Sequence, residues 1–389
     1  MKLFLYFIIM CTLFLPPTAL TATYYVATNG SDSNSGSSSS PWKNPQKCAL
    51  PPIKAGDTCA VRAGTYTDVD GNGVTIYISS SSPAGTSAAP ITIKSEIPLA
   101  ATILVPSIIN SGGKGSNTAI VVGRPYYRIE GFNITGGTKD LGSTTSYSGI
   151  SFYPGGTGSM ARFNSIHHVG RAVCSNTSYG MSGIFTKDVS NVIIEQNRIY
   201  SIGRRLNGES GCVTDKYQHD HGIYISGATN LVVRRNVFYD TTRGWPIQLY
   251  GGVINNINIY HNTIDGRNPR TSMPGQILLA SVINGGVIKN NISSNAQGGL
   301  VGFSPYSTVL KPTSVVVSYN ISSNSDRVGN RVGVTFSNNI LNVANLGFVN
   351  KTASDYRITS TSSARNRGTK VGVPTVTDGL PDIGYFEFK

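Results

Sequence analysis

Seven asparagines, Asn164, Asn197, Asn236, Asn262, Asn291, Asn320 and Asn339, recur at spacings of 33, 39, 26, 29, 29 and 19 residues. A short β-branched run precedes most of them, as in NVIIEQN, NLVVRRN, NINIYHN and GGVIKNN. A polar turn follows, and then a further strand such as SGIF, HGIY or PIQLY. Irregular repeats of this size mark a solenoid whose coils keep a fixed core while their loops vary in length. The residues alternate with the period of a strand and show no helical period, so each unit reads as one coil of a parallel β-helix. In that fold the asparagines stack at one corner and hydrogen-bond from coil to coil, as amide ladders do in stacked sheets.

The fold expectation is therefore all-β: a single solenoid. Residues 1–22 read as a secretory signal, with one lysine, an apolar run from Leu3 to Leu15 and small residues at Ala19 and Ala22. Residues 23–116 read as an N-terminal cap with the first coils, 117–343 as the repeating coils, and 344–389 as a tail covering the other end. No later stretch is apolar enough to span a membrane. The protein is expected to be exported and monomeric. Loss of the signal removes one lysine and no acid, leaving 31 basic against 19 acidic side chains, a net of +12. That surplus suits a polyanion, and without a run of basic residues an acidic polysaccharide fits better than nucleic acid. Four cysteines remain outside the signal. Cys48 and Cys59 bracket a short loop, and Cys174 and Cys212 lie in loops of neighbouring coils, so both pairs are expected to form disulfides.

Aligning the coils sends Ile150, Ile184, Ile223 and Ile247 inward. It sends one outer column through Ser151, Phe185, Tyr224 and Gln248, and another through Tyr153, Lys187, Ser226 and Tyr250. Polar and aromatic side chains on one exposed strip suit sugars, which stack on rings while amides hold their hydroxyls. Tyr153, Tyr224, Gln248 and Tyr250 are the candidate contacts. The loops leading into this strand carry Arg171, Arg204, Arg205, Arg243, Arg267 and Arg270, a rim able to bind carboxylates bidentately. The densest polar cluster, DKYQHDHGIYI, ends the longest of these loops. Strict alternation there points Asp220 outward and His221 inward, although alternation often fails at a strand entrance.

With those motifs on the page, the chain resembles secreted right-handed parallel β-helix proteins of the pectate-lyase-like group. The likeness lies in YYVATNGSDSNSG with SPW, in AGDTCAVRAGTY, in DHGIYISGATNLVVRRNVFYD, and in the closing DYRITSTSSARNRG with DIGYFE. It implies a substrate groove on the strand that follows the variable loops. The activity expected first is a lyase that cleaves an acidic, uronate-containing polysaccharide by β-elimination; the alternatives on the same fold are a uronate C5-epimerase, a glycoside hydrolase and a surface protein that only binds polysaccharide. Pectate lyases of the group use clustered aspartates with Ca²⁺ and an arginine or lysine base, but this chain has no dense acidic cluster. Lyase chemistry needs a base beside the uronate carboxylate and a cation on it. Lys187, its pKa lowered by neighbouring arginines, or His221 is the candidate base, and Arg243 the candidate cation. Asp220, Asp215 and Glu209 are the candidate Ca²⁺ ligands. For a hydrolase, Asp188, Asp220 and Asp240 are the available carboxylates.

Overall fold

A computed structural model describes residues 21–107, 116–142, 145–172, 179–208, 219–241, 243–266, 275–295, 299–303, 312–324, 332–371 and 379–388. These residues form strands and two short 3₁₀ turns, Pro45–Ala49 and Pro154–Gly156. Each coil runs through three strands before the next begins. One example is Met181–Ser190, Ile193–Glu195 and Arg198–Tyr200, above which lie Asp220–Thr229, Val232–Arg234 and Val237–Tyr239. Like stacks on like in parallel: Ile184 opposes Ile223, Ile194 opposes Val233, and Ile199 opposes Phe238. The result is a right-handed parallel β-helix. Its first and second faces merge into one 17-stranded sheet, and its third is a separate nine-stranded sheet. The merging follows from Ile247–Tyr260 and Ile277–Lys289, which run unbroken through both faces.

Inward positions of all three faces form one continuous core, with Ile150, Ile184, Ile223 and Ile247 fully buried in it as the alternation predicts. The asparagine ladder closes the corner between the second and third faces. Asn197 Oδ1 accepts from both the backbone and the side-chain nitrogen of Asn164, each at 3.0 Å. The same double bond repeats through Asn236, Asn262, Asn291, Asn320 and Asn339. The residue before each rung is left-handed, from Arg235 at φ 52° to Phe163 at φ 60°. That conformation turns the chain sharply and takes the corner amide out of the sheet ladder, so the side-chain carbonyl serves as its acceptor.

The first strand, Thr23–Val26, stacks on Thr58–Val61, and the expected Cys48–Cys59 disulfide is present with its Cα atoms 5.6 Å apart. Cys174 and Cys212 lie outside the described residues. The tail, expected to cover the far end, makes its contacts along the outer side of the third sheet. Tyr356 packs on Val237 and Tyr239 and donates to Asp265 Oδ2 at 2.7 Å. Leu346, Ile358, Ala364 and Ile383 cover Ile292 and Ile321. The reason lies in those two isoleucines: they occupy outward positions of the third sheet, where only an added layer can bury them. Among the described residues no helix is long and apolar enough to cross a membrane.

Candidate functional site

The outer side of the first face carries the strip that the coil alignment placed there. Ser151, Phe185, Tyr224 and Gln248 stand in one register column, and Lys187 lies opposite Ser226. The rings touch across four successive coils: Tyr153 to Phe185 at 6.0 Å, Phe185 to Tyr224 at 5.7 Å, and Tyr224 to Tyr250 at 6.3 Å between centroids. Lys187 is exposed and Tyr250 is half exposed, whereas Tyr224 is partly covered. Burial, with the nearby Tyr250 phenol, pushes the Tyr224 hydroxyl up to about 12. It therefore stays a neutral donor at physiological pH.

Strict alternation fails where the strand begins, and the failure reverses the expected directions of Asp220 and His221. In the stacked coils, register holds from Ser182 opposite His221 to Ile184 opposite Ile223 and skips the glycines between them. Gly222 faces inward, since a Cβ there would lie 2.9 Å from the core ring of Phe238. Ile223 is a core residue as well. Two consecutive inward residues break the alternation without shifting the register between coils, and everything before them changes side. His221 thus comes to the strip, 5.4 Å from the Tyr224 ring and stacked on Trp245 at 6.2 Å. The Trp245 N–H donates to its Nδ1 at 3.3 Å. That bond occupies Nδ1, so only Nε2 remains for the proton-accepting role expected of His221.

Asp220 turns into the protein instead. Its Oδ1 accepts from Arg171 Nη2 at 2.6 Å and from the Met181 N–H at 3.1 Å, and both members of the ion pair are fully buried. Burial raises the Asp220 pKa, and Arg171 opposes the rise. A carboxylate engaged in this way does not fit a Ca²⁺ site. Asp215 and Glu209 lie outside the described residues. Among the described residues no group of three or more His, Cys, Asp or Glu side chains is placed to hold a metal.

The arginine rim is largely turned inward too. Arg171 is committed to Asp220 and the Tyr179 carbonyl, and Arg204 donates to Asp240 at 2.8 Å. Arg243 is buried and donates to the Gly203 carbonyl at 2.7 Å, which removes it from the role of substrate cation. Burial, with Arg204 and Arg171 close by, pulls its pKa down to about 9. Arg205 is half-buried, and Arg267 and Arg270 lie outside the described residues. These arginines cluster at the strand entrance, six positions before Lys187 and so roughly 20 Å from it along the strand. Trp245 is the site residue that the sequence reading missed. Its signal was available: it is one of two tryptophans in the chain and directly precedes a first-face strand.

No protein-family model and no curated protein matches this sequence. Solved structures do match the fold. A rhamnogalacturonan lyase aligns over 86% of this chain and 92% of its own, at 14% identity and a TM-score of 0.58. A pectate lyase aligns over 95% and 97%, at 16% identity and a TM-score of 0.52. At such identities the likeness is one of architecture: this chain has the right-handed parallel β-helix fold on which those lyases are also built.

Proposed function

We infer that the protein is an exported enzyme that cleaves an acidic, uronate-containing polysaccharide by β-elimination on the first-face strip. The observation that carries this reading is the placement of Lys187 and Tyr224 on the aromatic strip. They stand on adjacent strands and two positions apart, so their Cα atoms are separated by about 8 Å. Those two side chains can flank one glycosidic linkage while the rings of Tyr153, Phe185 and Tyr250 hold the polymer by its apolar sugar faces. The Lys187 amine is the base that takes the proton beside the uronate carboxylate. The Tyr224 hydroxyl donates to the leaving glycosidic oxygen as its bond to the ring breaks, and the ring keeps a new carbon–carbon double bond.

The basic surplus of the chain favours an anionic polymer, and the two lyases that share the fold make elimination compatible with the scaffold. A two-carboxylate hydrolase is less well supported. Asp220 is tied to Arg171, Asp240 is tied to Arg204, and Asp188 sits at a left-handed corner against Gly227.

The test is incubation with polygalacturonate, alginate and glycosaminoglycans, with calcium or with chelator, following absorbance of the unsaturated product. Lys187→Ala and Tyr224→Phe should each lower the rate by ~10²–10⁴-fold while retaining the wild-type fold. Arg198→Ala, on the third face, should leave it unchanged. New reducing ends without absorbance would indicate a hydrolase, and retention without product a binding protein.

A further inference from the structure

Gln248 occupies the middle of the strip, in register with Tyr224 on one side and Leu278 on the other. Its neighbours Ile247 and Leu249 are core residues, so its own side chain stands on the outer side. It is nevertheless only 6% exposed, beside an apolar cluster of Trp245, Leu278 and Ala280. Among the described residues no donor reaches its buried Oε1. Buried amide oxygens in folded proteins are hydrogen-bonded, so one that no described residue satisfies is open to a ligand. A leucine would fill the same place without that demand.

The chemistry of the partner follows from the amide. It offers an acceptor and a donor side by side, and its complement is a group that presents one donor and one acceptor at the same spacing. Two adjacent ring hydroxyls of a sugar meet that description. A carboxylate, which has no hydrogen to donate, does not. The Tyr224 ring beside it and the half-exposed Tyr250 ring two positions on would take the apolar face of the same sugar. We propose that Gln248 is a specificity-determining residue that binds the vicinal hydroxyls of a sugar unit in the strip. The protein then selects polymers whose units carry those hydroxyls free over polymers esterified there. This rests on the strip being the polysaccharide site described above.

The test measures binding of polygalacturonate and alginate, and of each polymer O-acetylated at positions 2 and 3, by calorimetry. The proteins compared are wild type, Gln248→Leu and Tyr250→Ala. Gln248→Leu should bind the unmodified polymer about tenfold more weakly, with no loss of thermal stability. Acetylation should weaken the wild type by a similar factor and add little to the loss in Gln248→Leu, because the hydrogen-bonding partner is already gone. Gln248→Met serves as the comparison if the leucine variant does not fold. Equal effects of acetylation on wild type and variant, or wild-type affinity in Gln248→Leu, would mean that the amide holds a structural water, and would overturn the proposal. Loss of binding in Tyr250→Ala alongside such a result leaves the strip as the site. Wild-type binding to neither polymer would overturn both readings.

Discussion

At the scale of single residues, the ladder and the buried ion pair carry the largest consequences. Asn236 Oδ1 is the acceptor for both the backbone N–H and the side-chain amide of Asn197, in a fully buried corner. Asn236→Ala strands both donors, and each buried donor left unmet costs roughly 1–3 kcal/mol. A loss of about 2–4 kcal/mol in urea unfolding is expected, with no comparable effect from an alanine at the exposed Asn207. Asp220 is structural by the same logic. Asp220→Ala leaves Arg171 buried without its carboxylate, at a cost of ~3–5 kcal/mol, and a paired Arg171→Met change should recover part of it. If Asp220→Ala were as stable as wild type, the ion pair would not be holding the strand entrance.

At the scale of elements, the break in alternation at Gly222 decides which side chains reach the strip. Glycines at the matching positions, Gly149 and Gly183, also face inward, each 2.6 Å from an isoleucine methyl if given a Cβ. Gly222→Ala would place its Cβ 2.5 Å from the Pro246 carbonyl oxygen and 2.9 Å from Phe238, and neither a carbonyl nor a core ring yields easily. Stability should fall by ~1–3 kcal/mol and activity should fall with it, as His221 and Tyr224 shift together; thermal melts and the elimination assay read the two effects. The inward isoleucine column and the outer columns were legible in the sequence because strand alternation is strict away from the ends. The reversal of Asp220 and His221 was not, since one residue of slippage flips every side chain before it. A second, shorter amide ladder was also illegible. Asn230 donates to Asn191 at 3.0 Å, and Asn256 donates to Asn230 at 2.8 Å, on the exposed corner between the first and second faces.

At the scale of the whole molecule, two buried histidines tie stability to pH. Burial, with His168 close by, pulls His167 down to about 4. Burial, with Arg235 close by, does the same to His261. An unfolded histidine titrates near 6.5, so between about 6.5 and 4 the unfolded chain binds more protons than the folded one. Stability is then full above pH 6.5 and falls as pH drops towards 4, on the order of 1 kcal/mol per pH unit for each histidine. His261 also links this loss to the tail. Its Nε2 accepts from Asn290, and Asn290 holds the tail through Thr369 and the Gly384 N–H. Hydrogen exchange measured from pH 7 to pH 4.5 should show residues 344–388 opening before the coils. Uniform protection across that range would refute the link.

The sequence by itself determined the solenoid, its inward isoleucine column and the outer columns of the first face, because a repeat that must bury the same face in every coil writes its period into the chain. Tertiary structure alone decided which polar residues serve the fold. Arg171, Arg243 and Asp220 look in sequence like a substrate rim and a metal ligand. Folding places them side by side out of water, where charges and donors must satisfy one another. Gln248 is the converse case, a candidate contact in sequence whose buried Oε1 meets no donor among the described residues.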